Sequence, residues 1–355
     1  MKVRVQKQVL ETLLINLQPF LEKKDASQIT SHIYFMTQTD TCLLKGTDSE
    51  IGLEILSNQF QIDHEGGFTA NGKKLLDVVR ILKDDEIILE LFEATLMVKQ
   101  KHSKFKLPIF NIEEYPSFPT TQSKSQITLD SQRLIHNLKK ISPAIDTNNP
   151  KFELNGALLN IGTDNTDLVG TDTRRLAIAS IPGGSEKVLS LILPKKAILE
   201  IQKLFLNQIR FYYDETTLII QGDNTLFFTR LINGKFPDYA RIVPATLKHR
   251  LHLPKQAMLD SIRMITTISQ DIKITFLSDA ILFNSLSSDN VEAKTEIELN
   301  TGLEDRFDIS LNSKYMLDFL THIENDTFEI GLNEPTLPFL LQDENFLTII
   351  MPIVS

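Results

Sequence analysis

The side chains that could do chemistry are dispersed along this chain. Seven histidines occur in 355 residues, and only His249 and His252 lie close together, three apart. That pair could ligate a metal, but solvated loop or strand histidines are the simpler reading. The single cysteine, Cys42, sits in an apolar strand-like stretch and reads as a small buried core residue. One cysteine also excludes an intramolecular disulfide. Asp164, Asp167 and Asp172 are spread over a turn-rich stretch with no histidine beside them, so they make no acid–base pair. The phosphate-cradling patterns G-x-x-x-x-G-K-[ST] and G-x-G-x-x-G are missing, as are H-E-x-x-H and G-x-S-x-G. A hydrolase built from scattered Asp and His residues would need a convergent polar constellation, and the sequence carries none. The expectation is a protein with no catalytic residues, no metal and no cofactor.

The composition sets the scale of what must position any binding residues. Hydrophobic residues make up 42% and charged residues 23%, enough for sizeable cores without disulfide or metal staples. At roughly 100–200 residues per domain the chain holds two or three domains. No apolar run reaches about 18 residues, so no ordinary transmembrane helix is expected. Met1–Gln6 alternates apolar and polar residues instead of forming a signal-peptide block, and a cytoplasmic protein is expected. The net charge of −9 argues against non-specific nucleic-acid binding unless the cations are segregated on one surface.

Repeats supply the organisation. Helical apolar spacing recurs around Leu10, Leu134 and Met258, each 124 residues from the last. A second helical pattern begins near Lys74, Lys196 and Lys314, at intervals of 122 and 118. Gly46-Thr47-Asp48-Ser49 is matched by Gly170-Thr171-Asp172-Thr173, again 124 residues on. A period near 120 is too long for a solenoid unit and predicts three tandem copies of one domain, 1–122, 123–248 and 249–355. Pro-rich Tyr115–Pro119 precedes the first boundary, and Phe236–Tyr239 with Pro244 precedes the second. Each copy is expected to hold two helices of about 12–14 residues among many strands. Predicted strands include His32–Thr37, Cys42–Lys45, Glu86–Leu91, Thr95–Lys101, Ala157–Ile161, Leu189–Leu193, Ile209–Tyr213, Thr217–Gln221 and Leu226–Ile232. Gly66-Gly67 and Asn71-Gly72 read as turns between strands. The class is α+β with largely antiparallel sheets. A repeat-built structural protein with no DNA role fits the same repeats, although lysines at equivalent helix starts count against it.

Several segments resemble one family. Thr171-Asp172-Thr173-Arg174-Arg175-Leu176-Ala177 resembles the T-D-[GT]-H-R-L-A motif of the bacterial DNA polymerase III β subunits, the sliding clamps. Leu154-Asn155-Gly156-Ala157-Leu158 is similar to their L-N-G strand, and Phe236–Pro244 to their F-P-D-Y-x-R-x-x-P segment. Ile349-Ile350-Met351-Pro352-Ile353 resembles their V-M-P ending. The sequence departs from the pattern at Arg174, where the family usually has His, and in its Val354-Ser355 tail. The resemblance runs over the whole chain. It implies three tandem clamp domains, each with two inner helices and outer antiparallel sheets. It also implies a head-to-tail homodimer, a six-domain ring around duplex DNA that acts as a non-catalytic processivity factor.

The ring is consistent in size. Helices pack 8–10 Å apart, so six side by side make a circle only about 16–19 Å across at their axes, too narrow for a duplex about 20 Å wide. Twelve helices, from two chains, give roughly 31–38 Å. Cations gather on the helical patterns, at Lys7, Lys73, Lys74, Lys195, Lys196, Lys255 and Lys314, while acids concentrate elsewhere, as at Asp84-Asp85-Glu86. Such cations would give sequence-independent attraction to phosphates inside a net-negative protein. By the resemblance, the DNA-facing candidates are Lys23, Lys24, Lys73, Arg80, Asn148, Lys195, Lys196, Lys203 and Arg241. It also implies a hydrophobic peptide cleft made by Leu154, Thr171, Thr173, Leu176, Pro237, Ile242, Ile349 and Met351, rimmed by Arg174, Arg175, Arg241, Pro338, Pro352 and Ile353. Phe105 and Leu107 would meet Thr267 and Ile268 across the dimer interface. The implied partners are a second copy, double-stranded DNA, the replicative polymerase catalytic subunit, the clamp loader, and other clamp-motif proteins such as repair polymerases and mismatch repair proteins.

Overall fold

The structure, a computed structural model, describes residues 1–127, 129–184, 188–204, 209–286 and 291–354. Ser355 of the divergent tail lies outside the described residues. Six α-helices occur among them, two per repeat: α1 (Lys7–Leu17), α2 (Gly72–Ile81), α3 (Ser131–Ile141), α4 (Lys195–Leu204), α5 (Lys255–Thr266) and α6 (Ser313–Leu320). α5, at 12 residues, reaches the expected length, and the other five, at 8 to 11, are shorter than the periodicity predicts. Prolines account for two of the early stops: Pro19 and Pro143 sit in 3-10 turns directly after α1 and α3, where they cannot continue an α-helix.

The Asn71-Gly72 reading is corrected. Asn71 ends a strand, but its side chain accepts the Lys74 N–H at 3.0 Å and caps α2, with Gly72 as the first helical residue. Gly66-Gly67 does join two strands, with Gly66 at φ 142°. The predicted strands are present with ends shifted by one or two residues. The last of them stops at Arg230, short of Ile232.

Among the described residues the strands pair antiparallel in three sheets of thirteen, eight and four strands. The chain forms two compact units, residues 1–131 with 203–231, and residues 132–202 with 232–355. The middle repeat is therefore shared. Its strands 125–127, 210–213, 217–221 and 225–230 extend the first repeat's sheet by pairing Thr225–Arg230 with Ile51–Ser57. Its strand Arg175–Pro182 pairs with Phe346–Ile350 of the third repeat in the eight-stranded sheet.

In the first unit, α1 and α2 pack together and bury Leu10, Leu14, Leu17, Leu75, Leu76 and Val79. In the second, α5 and α6 pack together over Met258, Ile262, Ile265, Met316 and Phe319. Burying each such side chain contributes about 1.5–3 kcal/mol. Cys42 is fully buried, and burial pushes its thiol up to about 12, so it is inert core. His249 and His252 fall on the strand His249–Pro254. Strand alternation turns them to opposite faces, so they do not converge on one ion. No helix among the described residues is long and apolar enough to cross a membrane.

Candidate functional site

The T-D-T-R-R segment is a turn device. Thr171 Oγ1 donates to the Arg175 carbonyl at 2.6 Å and accepts the Thr173 N–H at 3.1 Å. Asp172 Oδ1 accepts the N–H groups of Arg174 and Arg175, both at 3.0 Å. These bonds hold Thr173 in the left-handed region, φ 72°, which a β-branched residue adopts only when its surroundings compel it. The turn aims the following strand so that Leu176 faces the apolar cluster while Arg175, also buried, turns to the opposite face of the sheet.

Leu176 joins a cluster of Leu154, Leu158, Val169, Ile178, Ile192, Phe236 and Ile349, with Ile232, Tyr239, Val243 and Leu347 packed against it. Leu176 and Ile349 are paired across neighbouring strands, which unites the second and third repeats in one apolar wall. Gly156 of the L-N-G segment is needed for close approach, because a Cβ there would lie 2.4 Å from the Leu193 carbonyl oxygen. The F-P-D-Y segment is docked against the wall. Phe236 is buried, and the Tyr239 hydroxyl donates to Asp167 Oδ2 at 2.8 Å while accepting from Asn160. Burial and the Asp167 carboxylate push that hydroxyl up to about 12.

Beside this wall, the same segments expose large apolar side chains. Ile242, Met351 and Ile353 are 43%, 42% and 40% exposed. Pro237, Pro338 and Pro352 are half-buried. The C-terminal strand exit is tied down by the Met351 N–H to the Arg174 carbonyl at 2.9 Å and the Ile353 N–H to the Ser310 carbonyl at 2.7 Å. The resulting surface has a buried apolar floor, with exposed aliphatic side chains and the exposed Arg174 and Arg241 on segments leading from it.

Arg175 departs from the rim position implied above. Its side chain is 4% exposed, with Nε 3.0 Å from Asp172 and Nη1 2.6 Å from Asp318, and its guanidinium lies 4.6 Å from the Tyr315 ring centroid. It also donates to the Pro143 carbonyl at 2.5 Å. Its role is to anchor the strand that carries Leu176.

The cationic candidates divide in a similar way. In the first unit Lys23, Lys24, Lys73 and Lys203 are exposed, and exposed Arg80 lies 3.8 Å from Glu11. In the second, Asn148 and Lys196 are exposed, and Arg241, in the 3-10 turn Tyr239–Ile242, is held by Asp238 at 2.7 Å. Lys195 is half-buried and donates to the Ile145 carbonyl at 2.5 Å; burial lowers its pKa, with the Asp146 carboxylate opposing. Lys7 and Lys255 do likewise, donating to the carbonyls of Arg80 and Ile323. These three helix-start lysines therefore tie down chain ends near helix termini. Of the interface candidates, Thr267 and Ile268 are exposed at the end of α5 and Phe105 is half-buried. Leu107, 8% exposed, is core because the strand turns it inward opposite Leu96.

Comparison with known proteins decides the family. Models of the DNA polymerase III beta subunit match the chain in three pieces, the N-terminal domain at residues 1–119, the central domain at 128–238 and the C-terminal domain at 240–354. The chain belongs to the DNA polymerase III beta subunit family. It is 38% and 40% identical over 352 residues to the beta sliding clamps of Helicobacter pylori strains J99 and 26695, covering 97% of this chain and 94% of each relative. The crystal structure of the Helicobacter pylori beta clamp bound to a DNA ligase peptide superposes with a TM-score of 0.94 at 39% identity, covering all of both chains. The family is a non-catalytic processivity factor, and the expected three tandem clamp domains of helices and antiparallel sheets are those of the beta subunit fold.

The cluster also contains residues that motif reading missed, namely Leu158, Val169, Ile178, Ile192 and Phe236. Phe236 lies inside the F-P-D-Y segment, so its signal was present. Asp318 and Tyr315 lie on α6 with no local signal tying them to Arg175.

Proposed function

We propose that two copies of this sliding clamp close head to tail around duplex DNA and tether the replicative polymerase and other clamp-motif proteins in the cytoplasm. The observation that carries the reading is the apolar wall of Leu154, Leu176, Phe236 and Ile349, flanked by the exposed Ile242, Met351 and Ile353. A floor of buried aliphatic side chains with exposed apolar edges suits short linear motifs with apolar anchors. The Helicobacter pylori beta clamp bound to a DNA ligase peptide supports a peptide-binding role for a clamp of this fold. The cleft residues we assign are Leu154, Thr171, Thr173, Leu176, Pro237, Ile242, Ile349 and Met351, with Arg174, Arg241, Pro338, Pro352 and Ile353 around them and Arg175 behind them as anchor. Lys23, Lys24, Lys73, Arg80, Asn148, Lys196 and Lys203 are assigned to the DNA-facing surface, and Phe105, Thr267 and Ile268 to the dimer contact. We assign three domains, 1–122, 123–248 and 249–355; the three family matches support the number of domains, with their own junctions at 119/128 and 238/240.

Light scattering over a dilution series tests the ring. The expected mass is about 81 kDa, twice the 40.4 kDa chain, together with retention on nicked circular DNA after loading and release when the DNA is linearised. A monomer at micromolar concentration, or equal retention on linear DNA, would overturn it.

A further inference from the structure

The cleft wall has a counterpart 124 residues earlier, within the first compact unit. Thr47 Oγ1 donates to the Ile51 carbonyl and accepts the Ser49 N–H, as Thr171 does with Arg175 and Thr173. Asp48 Oδ1 accepts two N–H groups, as Asp172 does, and Ser49 is left-handed at φ 76°. Strand register extends the match. Phe228 pairs with Gly52, as Ile349 pairs with Leu176. Arg230 therefore holds the position of Met351, and Phe118 that of Ile242.

At this counterpart the surface is open. A cavity of about 560 Å³ is lined by Phe118, Phe228, Thr217 and Arg230 among others, with Pro116 and Pro119 at its wall. That volume lies within the range of small-ligand sites, about 300–1,000 Å³. The floor is aromatic: Phe118 and Phe228 meet edge to face with centroids 4.9 Å apart, and Phe228 lies over Gly52, where a Cβ would fall 2.3 Å from its ring. The charge at the cavity is positive and uncompensated. Arg230 is exposed, its Nε donates to the Ser49 carbonyl at 3.1 Å, and no carboxylate pairs with it among the described residues. No Asp or Glu lines the cavity, and the Lys45 ammonium above Phe118 is already paired with Glu54 at 2.9 Å.

We propose that this cavity is a second ligand site of the chain, taking the C-terminal carboxylate of a short peptide on Arg230 and its apolar last side chain against Phe118 and Phe228. The guanidinium fork matches a carboxylate in two parallel hydrogen bonds, and the aromatic edges match an apolar or aromatic side chain. Arg230 in place of Met351 puts a guanidinium where the second unit's cleft has a thioether, and Phe228 in place of Ile349 puts an aromatic ring beside it. The parallel with that cleft rests on the peptide-binding reading above, whereas the cavity, its rings and its cation stand without it.

The test is calorimetric titration of the full-length protein with N-acetyl-Leu-Phe, in its free-acid and C-terminal amide forms, and a crystal soak with the free acid. The free acid is expected to bind at least tenfold more tightly than the amide, and Arg230→Gln, a change at an exposed strand end, to erase that difference. Met351→Lys, which obstructs the other cleft, is expected to leave free-acid binding unchanged, and density should lie on Phe228. Equal affinity for acid and amide, insensitivity to Arg230→Gln, or binding abolished by Met351→Lys would each overturn the proposal. Loss of clamp-motif peptide binding in Met351→Lys, with acid binding intact, separates the fate of this site from that of the cleft.

Discussion

Arg175 Nη1 lies 2.6 Å from Asp318 Oδ2 across 143 residues of sequence, a pair that joins the second repeat to the helix α6 of the third. Asp172 completes the arrangement on the other side of the guanidinium. Removing the arginine leaves two carboxylates facing each other without their cation. Arg175→Ala is expected to destabilise the chain by about 3–5 kcal/mol, read as a fall in the urea midpoint. Its neighbour Arg174 is exposed, and Arg174→Ala should stay within about 0.5 kcal/mol of the parent. A stability loss at Arg174 equal to that at Arg175 would remove the distinction between anchor and rim.

The apolar edge of the cleft offers a complementary prediction. Ile242 and Met351 are exposed, so truncating them removes little buried area from the folded chain. Ile242→Ala and Met351→Ala are each expected to weaken clamp-motif peptide binding by about tenfold or more while leaving the urea midpoint nearly unchanged. Fluorescence anisotropy with a labelled peptide reads the first effect. Unaltered affinity in both variants would show that peptides engage another surface.

The cations divide into those that touch solvent and those that hold the fold. Lys23, Lys24 and Lys73 are exposed, so replacing all three by Ala should leave stability intact. Every DNA phosphate deprived of its lysine in this way should reduce the salt slope of binding by about 0.9. Lys195 donates to the Ile145 carbonyl, and Lys195→Met should instead cost about 1–3 kcal/mol of stability. An unchanged slope in the triple variant would exclude those lysines from the DNA surface.

Much of this arrangement was legible in the sequence because it is local or periodic. The Thr47 and Thr171 turns are each closed by bonds within five residues, so their 124-residue recurrence carries both the repeat and the turn geometry. The six helices follow from apolar spacing alone. What was not legible depends on distant chain. Nothing in an Arg-Arg dipeptide says which guanidinium points inward; strand alternation and Asp318 decide that. Helix-start lysines look alike in sequence, and only the carbonyls of Arg80, Ile145 and Ile323 separate the tethers from the exposed cations. The division of the middle repeat between two sheets depends on the pairing of Phe227 with Leu53 and of Leu176 with Ile349, both long-range.

Acid should reveal a further contribution, from Asp308. Its partial burial alone would raise the pKa, but Thr275 Oγ1 at 2.6 Å, Arg306 Nε at 3.1 Å and Lys273 Nζ at 3.0 Å outweigh that and hold the carboxyl at about 2. A carboxyl whose folded pKa is depressed adds stability that is fully present above its unfolded pKa, near 3.9, and is lost as pH falls through the folded value. Asp308→Asn is therefore expected to cost about 1 kcal/mol at pH 7, a figure discounted for the group's partial exposure. The cost should shrink between about pH 4 and pH 2, because the parent protonates there and the variant has nothing to lose. Urea midpoints of both chains measured down this range should converge. A gap that stays constant from pH 7 to pH 2.5 would mean that the asparagine acts through shape or hydrogen bonding, and that the Lys273 and Arg306 charges contribute nothing to the fold.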